Sequence, residues 1–215
     1  MTKIIEKFDI YFFDLDGTLI DTEKLYFRFW KEASKFYGYE LNDYEALSFQ
    51  SLERNEGRKK MREYSNGLLN YDVVREKRIE LMNQYLLIHP IEVKEGVFDF
   101  LRLLKEKNKK IYIVTANAYE KALKILKDTL LYPYVDAIIS AKDVERGKPF
   151  PDVYLKGCAQ IGCEPSNVVV FEDSKNGLLA ASRAGCYTIM VEDLTKYNDD
   201  LSFVDGYISS FKEIL

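Results

Sequence analysis

Residues Phe8 to Phe13 read FDIYFF, and the chain then runs straight into Asp14-Leu15-Asp16-Gly17-Thr18. A stretch this short and this apolar has no solvent-facing side at a period of two. It reads as a β-strand buried on both faces, and such strands occur inside sheets sandwiched by helices. The two carboxylates then stand one residue apart at the carboxyl end of that strand. Gly17 lets the chain turn sharply just past them.

The rest of the chain repeats the theme. Ile111 to Val114, Val135 to Ile139, Val168 to Phe171 and Tyr187 to Val191 are further short apolar strands. Between them lie helical patterns. Val97, Phe100, Leu101 and Leu104 recur at i, i+3, i+4 and i+7 within 95–110, and Tyr119, Ala122, Leu123, Leu126 and Leu130 mark another helix. Gly177 to Ala184 is helical, with Gly185 as its C-cap, and Ser210 with Glu213 suggests a capping box on a short terminal helix. Strands alternating with helices predict an α/β fold, a Rossmann-like parallel sheet.

The stretch 22–93 breaks this rhythm. Thr22 to Tyr37 is amphipathic and stops at Gly38, Asn42 and Glu45 form a capping box, and Tyr71 to His89 is a long helix closed by Pro90. About 70 residues of helix therefore interrupt the first crossover. The expected domains are an α/β core of 1–21 with 94–215 and an inserted helical domain, 22–93, placed where open α/β sheets bind ligands.

Composition narrows the chemistry. The chain of 215 residues has one histidine, His89, and three cysteines in no C-x-x-C pair, which argues against a zinc centre and a disulfide framework. Reduced thiols suggest a cytoplasmic protein. A net charge of −4 gives no electrostatic footprint for nucleic acid or an anionic membrane, and no apolar run is long enough to span a bilayer. The chain is expected to work as a monomer on a small molecule.

A second strand also ends in acids, Phe171-Glu172-Asp173-Ser174. These residues could simply cap the next helix. Beside Asp14 and Asp16, however, they would bring four carboxylates to one edge of the sheet, where they repel unless a cation intervenes. Hard oxygen donors suit Mg²⁺, which keeps several waters. Thr115, followed by Ala116 and Asn117, offers a hydroxyl and a backbone N–H for an anion. Lys148, in Arg146-Gly147-Lys148-Pro149, offers an ammonium on a loop stiffened by proline. Nucleophile, acid/base, cation, hydroxyl and ammonium together handle a phosphoryl group.

The ordered set Asp14-x-Asp16-Gly17-Thr18, Thr115, Lys148 and Glu172-Asp173 resembles the four signatures of the haloacid dehalogenase superfamily. The stretches 14–23, 147–154 and 171–177 are similar to its β-phosphoglucomutase and phosphoglycolate-phosphatase-like branch, and the insert resembles that branch's four-helix cap. The resemblance implies that Asp14 attacks phosphorus and Asp16 protonates the leaving oxygen. It implies that Thr115, the Ala116 N–H and Lys148 hold the phosphoryl oxygens. Asp14, the Asp16 carbonyl, Glu172 and Asp173 would bind Mg²⁺. Asn117, Tyr26, Arg54 and Lys77 are candidates for contacting the rest of the substrate.

Mutases of this branch carry a histidine twelve residues after the nucleophile. Here that position is Tyr26, which favours a phosphatase over a hexose-phosphate mutase. A further alternative, a non-catalytic phospho-acceptor like a signalling receiver, shares the Asp, Thr and Lys but would not need Asp16 or so large an insert.

Overall fold

The computed structural model describes residues 2–50, 52, 54–194 and 201–215. The chain divides into two compact units, 1–21 with 91–215, and 22–90.

The first unit is built on a six-stranded parallel sheet: β1 Ile10–Phe13, β2 Lys110–Thr115, β3 Ala137–Ser140, β4 Val168–Glu172, β5 Tyr187–Val191 and β6 Gly206–Ile208. The order is β3-β2-β1-β4-β5-β6. Successive strands step outward one way from β1 to β3 and the other way from β4 to β6, so the direction reverses between β1 and β4. Such a reversal opens a crevice at the carboxyl ends of the strands. Phe13 is in register with Ile113 on one side and Phe171 on the other, so the first acids past β1 and β4 emerge side by side.

Nine α-helices are described: α1 Thr2–Lys7, α2 Glu23–Phe36, α3 Asp43–Leu47, α4 Arg54–Tyr64, α5 Tyr71–Leu86, α6 Val97–Glu106, α7 Tyr119–Asp128, α8 Asp152–Ile161 and α9 Lys175–Ala184. The pleat of β1 sorts the core into two layers. Tyr11 and Phe13 face α6 and α7, among Phe100, Leu104, Leu126, Phe171 and Phe211. Phe12 faces α8 and α9, among Val153, Tyr154, Cys158, Ala180 and Ala181. Both faces are dry, which is why β1 shows no alternation.

The second unit contains α2 to α5 and, among its described residues, no strand. Its core centres on Trp30, whose ring lies 4.8 Å from Phe49 and 5.3 Å from Tyr71, over buried Leu41 and Met61. The Asn42–Glu45 capping box is present in both directions. The two chain segments that lead to and from this unit are tied together within the first. Ile20 bridges Val93, the Asp21 N–H donates to Glu92 O, and the Lys94 N–H donates to Leu19 O.

Several local expectations change. The helix from Tyr71 ends at Leu86 rather than His89; the chain turns there with the His89 ring stacked on Tyr85 at 4.1 Å. The third strand starts later, at Ala137, because Tyr132–Tyr134 forms a 3₁₀ turn around Pro133. Ser210 and Glu213 form no capping box. Ser210 Oγ accepts from the Lys212 N–H, the Glu213 carboxylate accepts from Ser209, and the element is one 3₁₀ turn, Phe211–Ile214. β6, α1 and α8 have no counterpart in the sequence pattern described above, β6 because three residues carry too little pattern. All three thiols are free, and no described helix is long and apolar enough to cross a membrane.

Phe100 joins the aromatic cluster of the core from α6. Its ring lies 6.2 Å from Tyr11, 6.2 Å from Phe13, 5.6 Å from Phe171 and 5.6 Å from Phe211. Phe100→Ala is expected to cost about 3–5 kcal/mol, transfer and cavity terms together. Urea unfolding measures it, and a loss below about 1 kcal/mol would mean that this cluster collapses to fill the hole.

Candidate active site

The β1 end is set by backbone first. The Asp14 N–H donates to Phe171 O at 3.0 Å, extending the ladder one residue past the strand. The turn then closes on itself, with the Gly17 N–H on Ile20 O at 2.9 Å and Gly17 at φ +80°. That φ suits glycine, and space demands it as well. A Cβ at Gly17 would lie 2.4 Å from Asp173 Oδ2, so the Asp173 carboxylate rests directly on the Gly17 backbone. Thr18 Oγ1 donates to Asp173 Oδ1 at 2.9 Å and fixes its other oxygen.

Lys148 joins the two strand ends. Its Nζ donates to Asp14 Oδ1 at 2.5 Å and to Glu172 Oε1 at 2.6 Å, with a longer contact to Val114 O at 3.4 Å. All three charged side chains are buried, Glu172 to 1% exposure. Burial pushes the Asp14 carboxyl up to about 7; Lys148 pulls it back, while Glu172 and Asp16 add to the rise. Burial also works against the Lys148 charge. Its two carboxylate partners outweigh that and hold the ammonium well above the usual lysine range.

Glu172, a candidate metal ligand from sequence, has hydrogen-bond partners on both carboxylate oxygens. Oε2 accepts from the Ser174 N–H at 2.7 Å and from Ser174 Oγ at 2.9 Å, while Oε1 takes Lys148. Ser174 in turn caps α9, accepting from the Gly177 N–H at 3.1 Å. The carboxylate is wedged against the first turn of α9, where a Cβ on Gly177 would come within 1.7 Å of Oε1. Two acids adjacent in sequence thus have separate partners. Glu172 holds the lysine, and Asp173 rests on the Asp14–Thr18 turn.

Opposite these, β2 ends in Thr115, which is buried. Its Oγ1 accepts from the Asn117 N–H at 3.1 Å and from Asn117 Nδ2 at 3.3 Å, so its own proton remains to donate outward. Asn117 Nδ2 also donates to Asp16 Oδ2 at 2.5 Å, and Lys121 Nζ donates to Asn117 Oδ1 at 2.8 Å. Ser140, in register with Thr115 on β3, donates to Asn117 O at 2.7 Å. Asn117 therefore braces Asp16 and Thr115 together. Ala116 follows Thr115 in the same turn.

The remaining candidates lie in the second unit and have partners there. The Arg78 guanidinium sits 4.6 Å from the Tyr26 ring centroid and 4.8 Å from that of Trp30. Arg54 Nε pairs with Asp72 at 3.4 Å on an exposed surface, and Lys77 Nζ pairs with Glu80 at 2.9 Å over the Phe36 ring. Three residues with evident roles were not singled out from sequence: Ser174, Gly177 and Tyr154. The N-cap pattern of Ser174 was readable. The close approach at Gly177 depends on where Glu172 points, which no local pattern reports.

The sequence profile of the haloacid dehalogenase-like hydrolases matches residues 11–191. A phosphorylated carbohydrates phosphatase of Thermotoga maritima is 31% identical over 176 residues, 80% of each chain. Hexitol phosphatase A of Escherichia coli is 30% identical over 208 residues, 95% of this chain and 92% of that one. Among solved structures, a haloacid dehalogenase family hydrolase from Deinococcus radiodurans, holding phosphate and sodium, superposes with a TM-score of 0.80 at 22% identity. It covers 97% of this chain and 93% of that one. With its four motifs in order at the ends of a parallel sheet, the chain belongs to the haloacid dehalogenase-like hydrolases.

Proposed function

We propose that the chain is a Mg²⁺-dependent phosphatase that removes the phosphoryl group from a small phosphorylated metabolite, of the sugar phosphate kind, through an aspartyl-phosphate on Asp14. The observation that carries it is the buried Lys148 ammonium held between Asp14 and Glu172, with the Thr115 hydroxyl at the end of the neighbouring strand. Relatives whose names specify carbohydrate and hexitol phosphates support the substrate class.

In the first step an Asp14 carboxylate oxygen forms a bond to phosphorus and the bond to the leaving oxygen breaks. Asp16 gives that oxygen its proton. In the second, Asp16 takes a proton from water, which attacks the same phosphorus, freeing inorganic phosphate and restoring Asp14. Asn117 aims Asp16 through its Oδ2. Lys148 and the Thr115 hydroxyl receive the phosphoryl oxygens, with the Ala116 N–H beside them.

The residues also suit Mg²⁺. Asp173 is drawn onto the Gly17 turn by Thr18 and by the missing Cβ, which brings its oxygens to the Asp16–Gly17 backbone near Asp14. Two carboxylates and the Asp16 carbonyl form the hard, sparse donor set that this ion accepts, waters completing its shell. Bound there, Mg²⁺ would offset charge on the phosphoryl oxygens. Every group proposed to handle phosphate lies in 1–21 and 91–215.

Asp14→Asn is expected to abolish phosphate release, by roughly 10⁴-fold or more, and Asp16→Asn to slow it by roughly 10²–10⁴-fold. A phosphate-release assay over a panel of esters, with Mg²⁺ and then with chelator, checks both; full activity in Asp14→Asn would refute the mechanism. The same assay on hexose 1-phosphates separates a mutase, which would interconvert isomers without releasing phosphate.

A second prediction follows from Gly177. In an open helix, glycine to alanine stabilises by up to about 1 kcal/mol. Here the new methyl would strike the Glu172 carboxylate, which is buried and bonded to Ser174 and Lys148. Gly177→Ala is therefore expected to destabilise by about 1–3 kcal/mol and to lower kcat through Lys148. Urea unfolding and the phosphate assay on one preparation check this, and a stabilised variant would show that Glu172 yields freely.

A further inference from the structure

Tyr154, in the first turn of α8, is fully buried, and its hydroxyl finds no hydrogen-bond partner. Buried hydroxyls left unpaired are rare in native proteins, and each calls for a reason. Packing does not supply one. The ring lies among Phe12, Val114, Ile139 and Val153, with Phe12 stacked at 6.5 Å, and a phenylalanine would fill the same space. The oxygen is what needs explaining.

Its surroundings are the phosphoryl-handling charges. The Lys148 ammonium lies 5.4 Å from the Tyr154 ring centroid, and Lys148, Glu172 and Asp14 all act electrostatically on the hydroxyl. As the structure stands, Lys148 directs its three N–H bonds at Asp14, Glu172 and, weakly, Val114. The Lys148 ammonium also bears on the phenol oxygen as a donor, but no hydrogen bond of ordinary length and angle reaches it.

That arrangement cannot survive phosphoryl transfer. The reading of Asp14 as nucleophile turns the carboxylate that holds Lys148 at 2.5 Å into an uncharged mixed anhydride; its charge departs with the leaving oxygen, which Asp16 protonates, and the phosphoryl oxygens become the charged acceptors nearest the lysine. The ammonium must turn. Glu172 cannot follow, because Ser174 holds its other oxygen. An acceptor beside the lysine that holds no hydrogen bond of its own is the Tyr154 oxygen.

We infer that Tyr154 is a positioning residue for Lys148. While the N–H that Asp14 gives up turns to the phosphoryl oxygens, the Tyr154 hydroxyl accepts the N–H now spent weakly on Val114 O and holds the ammonium against the transferred group. The unpaired oxygen is then the resting half of a two-position contact. The inference rests on the aspartyl-phosphate reading and adds to it a residue outside the four motifs.

Tyr154→Phe keeps the ring and removes only the oxygen. The expected result has two parts measured on one preparation. Thermal melting is unchanged or higher, because a buried unpaired hydroxyl is gone. With a phosphate monoester and Mg²⁺, kcat falls roughly tenfold, the size of one hydrogen bond to a charged group, while KM moves less than about twofold. A kcat equal to that of the unsubstituted protein overturns the inference and leaves the phosphatase reading standing. A fall in kcat accompanied by a lower melting temperature also overturns it, since the oxygen would then serve the fold. If the unsubstituted protein hydrolyses no phosphate ester, the underlying reading fails and the inference with it.

Discussion

One ammonium shared by two carboxylates holds the site together. Asp14 and Glu172 come from the ends of neighbouring strands, and both are buried. Without a cation between them they would repel across a medium that screens little. Lys148 reaches in from a loop between β3 and α8 and bonds to both. Because a buried ion pair repays its desolvation only with good geometry and further hydrogen bonds, the surroundings are built to supply them. Ser174 takes the second oxygen of Glu172, the α9 cap takes Ser174, and Gly177 makes room. The loop, two strands and a helix are fixed relative to one another by this small set of charges.

Alternation along β4 divides the labour between two adjacent acids. Successive side chains on a strand point to opposite sides. Glu172 therefore turns inward to the lysine, while Asp173 turns to the Gly17 turn of β1, where Thr18 receives it. A pair of acids that reads as one block of negative charge serves two partners.

Legibility in the sequence followed the range of the interaction involved. Dry strands show as unbroken apolar runs, so β1, β2, β4 and β5 were plain, and the acids past β1 and β4 followed directly. The interrupting helices were readable from amphipathic spacing and from the Asn42–Glu45 box. Lys148, Thr115 and Asn117 were recognisable as candidates from residue type and loop position, though the Asn117–Asp16 bond was not. What stayed hidden depends on contacts distant in the chain. Gly177 looks like any glycine early in a helix until Glu172 is placed against it. Tyr154 looks like core until its oxygen is found unpaired. β6 is three residues long, and its pairing with β5 defines it more than its own pattern does.

The staple between the chain segments at 19–21 and 92–94 has a consequence for how such proteins diversify. Ile20 to Val93, Asp21 to Glu92 and Leu19 to Lys94 close the detour within the core itself, before the helices begin. The core then registers only a short paired neck, whatever lies beyond it. Closing a longer or shorter excursion costs little, about 0.6 kcal/mol for each doubling of length. A lineage can therefore exchange, lengthen or redesign the helical excursion while the core strands keep their register. Variation is confined to one contiguous span of gene, and the sheet need not be rebuilt to accommodate it.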